Sequence, residues 1–105
     1  MNLKYEDIIN FKDIISDFKL DNHVEMAIFP QFPLLYSAKK NLSDHDIEIG
    51  AQACSAHLNG AYTGDVSVEI ISDIGCKYCL VGHSERREFH NETNAFVKKA
   101  STLLL

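Results

Sequence analysis

Short apolar segments that alternate with helical patterns constrain the fold of this chain more than any other feature. The first predicted strand, residues 24–29, is nearly continuously apolar, which is typical of a strand buried on both faces of a parallel sheet. The second runs from Ile47 to Ala53 or Cys54, and the third covers residues 77–81. The resulting order is helix, strand, helix, strand, loop, helix, strand, helix. It predicts an α/β fold with parallel strands and right-handed crossovers.

The predicted helices carry apolar residues three and four positions apart, as one buried face of a helix requires. Pro33 fits the first turn of the second helix, where its missing N–H costs nothing. Ser67 and Thr93 are predicted to cap the third and last helices, and Gly75 to end the third in the left-handed conformation. The first helix is predicted over residues 5–18. The faces expected to be buried are Tyr5, Ile8, Phe11, Ile15 and Phe18 in the first helix, and Leu34, Leu35, Ala38 and Leu42 in the second.

A polar cluster follows directly after the third predicted strand and contains both arginines of the chain. It reads Gly82-His83-Ser84-Glu85-Arg86-Arg87. An imidazole, a carboxylate and two guanidinium groups at the end of an apolar strand predict a functional site rather than a solvated face. A loop of about ten residues, 55–64, follows the second strand, and loops of that length in compact α/β units are usually functional.

The polar cluster resembles the signature of the triosephosphate isomerase family, and three further stretches resemble the same family in the right order. Residues 50–52 resemble the end of the family's third strand, residues 60–65 its interdigitating loop, and residues 67–75 the helix that follows. The resemblance implies an incomplete TIM (β/α)8 barrel of about three parallel strands with their helices. Residues 1–105 would form a single partial barrel domain, truncated at both ends relative to a family barrel of roughly 250 residues.

The resemblance also implies the reaction, which is the interconversion of dihydroxyacetone phosphate and glyceraldehyde 3-phosphate through an enediol. His83 matches the electrophile, and this family is itself the established example of a neutral histidine electrophile at a helix N-terminus. Glu85 matches the supporting carboxylate, although an isolated glutamate is more often simply solvated. Ser84 is expected to cap or hydrogen-bond the turn. The substrate would be a small phosphorylated triose, and no cofactor or metal is implied.

Further positions are expected to act in assembly or positioning. Arg86 is expected to pair with Asp65, where the family places an acidic residue, and Arg87 to be an interface or surface charge. Thr63 resembles the loop-tip threonine that reaches into the partner subunit's active site, and Gln52 resembles a dimer-interface residue. The expected partner is therefore a second copy in a homodimer, or a complementary isomerase chain.

Several functional parts of the family would fall outside this sequence. The asparagine and lysine of the first strand would precede Met1, and the glutamate base, the lid and the late phosphate loop would follow Leu105. One positioned base contributes about 10²–10⁴-fold to a rate, so the chain alone is expected to be nearly inactive, as a truncated, decayed or split form. Three parallel strands would also leave two unpaired edges, which predicts poor solubility or partial order.

Two other hypotheses remain open. One is a non-catalytic dimerisation or interaction module that pairs with a full-length isomerase. The other is a redox or metal protein that uses Cys76 and Cys79; strand alternation would point these two sulfurs to opposite faces, which favours two small buried thiols instead. An odd number of three cysteines does not form a disulfide framework, and the five histidines show no ligand spacing.

The charge balance excludes two classes of partner. A net charge of −5 and a pI near 5.4 argue against nucleic acid and anionic membranes, because both require clustered Lys and Arg.

No apolar run approaches the roughly 20 residues of a membrane span, and the N-terminus shows no apolar leader. The expected location is the cytoplasm.

Overall fold

The architecture is an open, three-stranded parallel sheet with helices, as an incomplete α/β barrel requires. The computed structural model describes all residues from 1 to 105. The strands are β1 (Met26–Ile28), β2 (Ile47–Ala51) and β3 (Tyr78–Cys79), and they lie side by side in chain order. Met26 pairs with Ile47, and Ala51 pairs with Cys79. The predicted α/β class and parallel pairing are confirmed.

Five α-helices connect or flank these strands. They are α1 (Tyr5–Ile15), α2 (Leu35–Leu42), which a 3₁₀ turn at Phe32–Leu34 precedes, α3 (Val68–Asp73), α4 (Ser84–His90) and α5 (Asn94–Leu104). The predicted caps are confirmed. The hydroxyl oxygen of Ser67 accepts from the Ile70 N–H at 3.3 Å, and that of Thr93 accepts from the Phe96 N–H at 3.2 Å. Gly75 follows α3 with a φ of +89°, the left-handed value expected of it.

The core lies between α1, α2 and β2. Its buried residues include Ile8 and Ile15 of α1, Ile47, Ile49 and Ala51 of β2, and the predicted α2 face of Leu34, Leu35, Ala38 and Leu42. None of the helices combines the length and apolar character needed to cross a bilayer.

The first helix and the outer strands are shorter than predicted. Helix α1 ends at Ile15, and the Phe18 N–H donates to the Ile15 carbonyl at 2.9 Å to close a turn. Phe18, beyond the helix end, and Tyr5, in its first turn, are both exposed, so the predicted burial of these two is wrong and the buried apolar face narrows to Ile8 and Ile15 with Phe11 beside them. β3 extends only over Tyr78–Cys79 and pairs with β2 on one side.

Helix α4 was predicted as a polar turn, and that prediction is wrong. Residues 84–90 carry no apolar stripe, so the periodicity gave no helical signal. The helix is stabilised at its ends instead. His83 caps it, Glu85 lies in the first turn and Arg87 lies in the last turn, where the charges of these two residues complement the helix dipole. Asn91 ends the helix with a φ of 54°.

Candidate functional site

His83 lies where β3 leads into α4, at the C-terminal end of the sheet. Its Nδ1 accepts the backbone N–H of Glu85 at 3.3 Å, so the imidazole itself is the helix N-cap. An imidazole nitrogen that accepts a hydrogen bond carries no proton. In the neutral ring the proton is therefore on Nε2, and with about half of the side chain exposed, that N–H can donate to a ligand.

The turn before His83 requires glycine. Gly82 has a φ of +63°, and a Cβ there would lie 2.8 Å from Val97 Cγ2 and 2.9 Å from Arg87 Nη2. Arg87 holds this turn, since its Nε donates to the Gly82 carbonyl at 2.9 Å and its Nη1 to Asn94 Oδ1 at 2.8 Å. Arg87 is exposed, as predicted for a surface charge, but it also links the His83 turn to the start of α5.

The structure places Glu85 near His83 but shows no hydrogen bond from Ser84. The Glu85 carboxylate lies 3.9 Å from His83 Nδ1 and is mostly exposed. Ser84 was expected to cap or hydrogen-bond the turn, but its hydroxyl makes no hydrogen bond, because His83 already fills the capping position. That expectation for Ser84 is wrong.

The predicted Arg86–Asp65 ion pair is not formed. Arg86 Nε instead donates to Glu92 Oε1 at 2.7 Å, and the Glu92 side chain is only 5% exposed. The Asp65 carboxylate accepts from the Ser55 hydroxyl at 2.7 Å. The left-handed residue Asn91 turns the chain so that Glu92 comes back toward Arg86, within reach of the guanidinium.

Sequence reasoning missed Glu92 entirely. Glu92 lies outside both the apolar face of α5 and the polar cluster after β3, so the only sequence signal for its role was a nearby arginine.

The predicted site residues fall into two groups, because only some of them line a cavity of about 460 Å³. Thr63, Asp65 and Arg86 line it, together with Cys54 and Glu92. His83 and Glu85 are not part of this lining. The structure thus places Thr63, Asp65 and Arg86 around one cavity and leaves the predicted electrophile His83 at the open strand end.

Side-chain contacts within the loop and to α5 hold the loop after β2. The His57 ring stacks on Tyr62 with centroids 3.9 Å apart, and Lys99 Nζ lies 3.2 Å from His57 Nδ1. Thr63 is exposed at the loop tip. Gln52 donates from Nε2 to the Phe29 carbonyl at 2.7 Å, which ties the end of β2 to the end of β1.

The cysteines are arranged differently from the Cys76–Cys79 pair considered from sequence. The Cys79 thiol lowers the pKa of Cys54, and the Cys54 thiol raises that of Cys79, an interaction that strand spacing did not reveal. The Cys79 Sγ also lies 3.4 Å from the Leu80 carbonyl oxygen. Burial raises the pKa of the Cys76 thiol. No group of three or more histidine, cysteine, aspartate or glutamate side chains is arranged to hold a metal ion.

A charged network occupies the opposite end of the sheet. Lys77 Nζ lies 3.0 Å from Glu25 Oε1 and 3.3 Å from Glu48 Oε1, and the Tyr78 hydroxyl also donates to Glu25. The hydrogen bond from Tyr78, followed by that from Lys77, lowers the pKa of Glu25. The Glu25 and Glu48 carboxylates raise the pKa of Lys77. This network lies at the strand starts, whereas His83 follows the end of β3.

Parallel strands in chain order, with helices between them and a histidine at a C-terminal strand end, are consistent with an incomplete (β/α)8 barrel. The triosephosphate isomerase family model matches residues 1–105. The chain belongs to the triosephosphate isomerase family.

Relatives named triosephosphate isomerase agree with this assignment. That of Thermus thermophilus is 51% identical over 81 residues, which are 77% of this chain and 32% of the relative. Those of Sodalis glossinidius and Dictyoglomus turgidum are 45% identical over 80 residues and 39% identical over 92 residues. These alignments cover 76% and 88% of this chain, and 31% and 36% of the relatives. The chain therefore spans about a third of the length of the curated relatives it matches.

Proposed function

We propose that this chain supplies the electrophilic part of a triosephosphate isomerase site, which interconverts dihydroxyacetone phosphate and glyceraldehyde 3-phosphate. The observation that carries the proposal is the capping role of His83. Because Nδ1 accepts the Glu85 N–H, the neutral imidazole presents its Nε2–H to solvent at the C-terminal end of the sheet.

The chemistry of the proposed reaction explains why such a donor is useful. Removal of a proton from the carbon beside a carbonyl places negative charge on the carbonyl oxygen. A positioned N–H that donates to this oxygen stabilises the transition state more than the ground state, and loss of one such donor typically costs about 10²–10³-fold in rate. His83 would take this role, and Glu85 would be the supporting carboxylate beside it.

The proton acceptor must come from elsewhere. We expect no counterpart of the family's glutamate base in residues 1–105, so this chain alone should have little activity. In the split-enzyme version of the proposal, a second chain that carries the remaining strands and the base completes the site.

Complementation tests the proposal. The chain is mixed with a separately produced chain that carries the remaining barrel strands, and isomerase activity is followed by coupling product formation to NADH oxidation. We expect a large gain over either chain alone, and His83→Gln should reduce it by about 10²-fold or more. His45→Gln is the matched control, because His45 precedes β2 at the other end of the sheet. Absence of any gain would remove the split-enzyme version, and an unchanged rate with His83→Gln would remove the electrophile assignment.

A second candidate function is that of an interaction module that pairs with a full-length isomerase. The supporting observation is the loop after β2, which exposes Leu58 and Tyr62 beside Thr63 while a hydrogen bond from the Ser55 hydroxyl to Asp65 holds its base. Co-purification with a full-length family member tests this function. Thr63→Arg should abolish the association, whereas Thr102→Arg on exposed α5 should not. Association that survives Thr63→Arg would contradict a loop-mediated contact.

A further inference from the structure

The Lys99 ammonium of α5 lies against the His57 imidazole of the loop after β2, with Nζ 3.2 Å from Nδ1. A lysine ammonium has only donors, so Nδ1 must be the acceptor, and the ring proton of the neutral imidazole is on Nε2. This distance is within the hydrogen-bond reach that a general base requires. The fold therefore places an amine beside a nitrogen that can take a proton, although the two residues are 42 positions apart in the sequence.

Tyr62 fixes the orientation of this base. Its ring stacks on that of His57 with centroids 3.9 Å apart and an interplanar angle of 12°. The loop backbone is also held at this point, because the His57 N–H donates to Ser55 Oγ at 3.2 Å. A nucleophile, a base within hydrogen-bond reach and a third group that orients the base form the arrangement by which enzymes activate nucleophiles. Lys99, His57 and Tyr62 occupy these three positions.

Two other lysines show what is particular to Lys99. Lys98, its neighbour on α5, is exposed and forms no ion pair. Lys77 Nζ lies 3.0 Å from Glu25 Oε1 and 3.3 Å from Glu48 Oε1, and these carboxylates raise the pKa of Lys77, which keeps its amine protonated. Lys99 is as exposed a residue as Lys98, but its contact is an imidazole nitrogen, which can remove a proton instead of holding the cation.

We propose that Lys99 is a site of covalent acylation, with an acyl phosphate as the acyl donor and His57 as the base. The unprotonated amine, whose first proton has gone to water, attacks the acyl carbon. His57 Nδ1 then takes a second proton from the attacking nitrogen. The bond between the acyl carbon and the phosphate oxygen breaks, and an amide remains on Lys99. Of the two protons that the ammonium has lost, one leaves with the phosphate and the other stays in solution.

Charge and accessibility favour an anionic donor of this class. Lys98 and Lys99 follow one another on α5, both are exposed, and neither forms an ion pair. Their charges therefore remain available to attract the phosphate group of the donor. Because the amide formed on Lys99 is uncharged, the modification would weaken the contact between α5 and the loop after β2. The inference goes beyond the proposed isomerase function and does not depend on it, because bond formation and not activity is measured.

The experiment measures acetylation of the folded 105-residue chain by acetyl phosphate at neutral pH, lysine by lysine in a time course. A protease that cleaves after glutamate releases residues 93–105, which contain Lys98 and Lys99, and a separate peptide that contains Lys77. Fragmentation in the mass spectrometer distinguishes the two lysines of the first peptide. We expect Lys99 to react about tenfold faster than Lys98, below the usual contribution of a positioned base because the pair is exposed. Lys77 should react more slowly than both.

Variants of the base and of the ring that orients it test the two roles. His57→Gln should remove the advantage of Lys99, whereas the matched control His23→Gln should not, because His23 is exposed in the turn between α1 and β1. Tyr62→Leu should slow Lys99 severalfold, and Tyr62→Phe, which keeps the stacking ring, should retain the parent rate. Slow acetylation of Lys77 shows that each variant is folded, since unfolding would break its contacts with the carboxylates.

Equal rates for Lys98 and Lys99 in the folded chain would overturn the proposal, as would an advantage of Lys99 that survives His57→Gln. The uncharged donor p-nitrophenyl acetate tests the choice of an acyl phosphate. With acetyl phosphate at low ionic strength, Lys98→Gln should slow Lys99 by about twofold, because one nearby positive charge is lost. With the ester the rate should stay unchanged, and the same response to both donors would overturn the acyl-phosphate assignment.

Discussion

Removing Arg86 should destabilise the chain more than removing the charge of Glu92, because the two partners of their ion pair are buried to different extents. The Glu92 side chain is 5% exposed and that of Arg86 is 34% exposed, with Nε and Oε1 2.7 Å apart. In Arg86→Met the Glu92 carboxylate stays buried without its partner. In Glu92→Gln the guanidinium retains contact with water and with an amide oxygen of the same shape.

The magnitudes follow from this asymmetry. An uncompensated buried charge costs about 3–5 kcal/mol, which we expect for Arg86→Met. Glu92→Gln keeps an acceptor for the guanidinium and only weakens the hydrogen bond, so we expect a cost of about 0.5–1.5 kcal/mol. The double variant should cost less than the sum of the two single variants, since neither partner is then left alone.

Urea unfolding followed by circular dichroism measures these differences. Asp65→Asn combined with Arg86→Met is the matched control, because the predicted Arg86–Asp65 pair is absent from the structure and the two changes should be additive. Arg86→Lys, which keeps the charge with fewer donors, provides a milder variant if Arg86→Met does not fold. Equal costs for the two single variants, or strong coupling to Asp65 instead of Glu92, would refute the reasoning.

Three further outcomes are expected. Gly82→Ala should destabilise by about 1–3 kcal/mol in urea unfolding, because the left-handed φ and the close Val97 and Arg87 contacts both oppose a Cβ; an unchanged midpoint would contradict the turn geometry. Thr93→Ala should cost about 0.5–2 kcal/mol through loss of the α5 cap, while Thr93→Ser should retain most of the stability. Glu25 has a lowered pKa in the folded chain, so its contribution is complete above its unfolded pKa of about 4.3 and is lost as the pH falls through the lower folded value. Glu25→Gln should therefore lose less stability than the parent between about pH 5 and pH 3 in acid titrations of unfolding, and an identical loss in both would show that Glu25 contributes nothing there.

Local signals were sufficient for much of the fold. Ser67 and Thr93 cap their helices through contacts with an N–H three residues away, so the neighbouring sequence contains both partners. The buried face of α2 was predicted correctly, because apolar residues three and four positions apart lie on one face of a helix. Helix α4 was missed because it has no apolar stripe. Its stability comes from the His83 cap and from charges at its ends.

The sequence by itself determined the parallel α/β class, the family and the position of His83 at the end of a strand, because these depend on order and spacing along the chain. Only the tertiary structure decided which partners meet. Arg86 had Asp65 and Glu92 as chemically equivalent carboxylates, and the structure pairs it with Glu92. The backbone turn at Asn91 selects Glu92, and that selection is a matter of distance and burial that residue type does not encode.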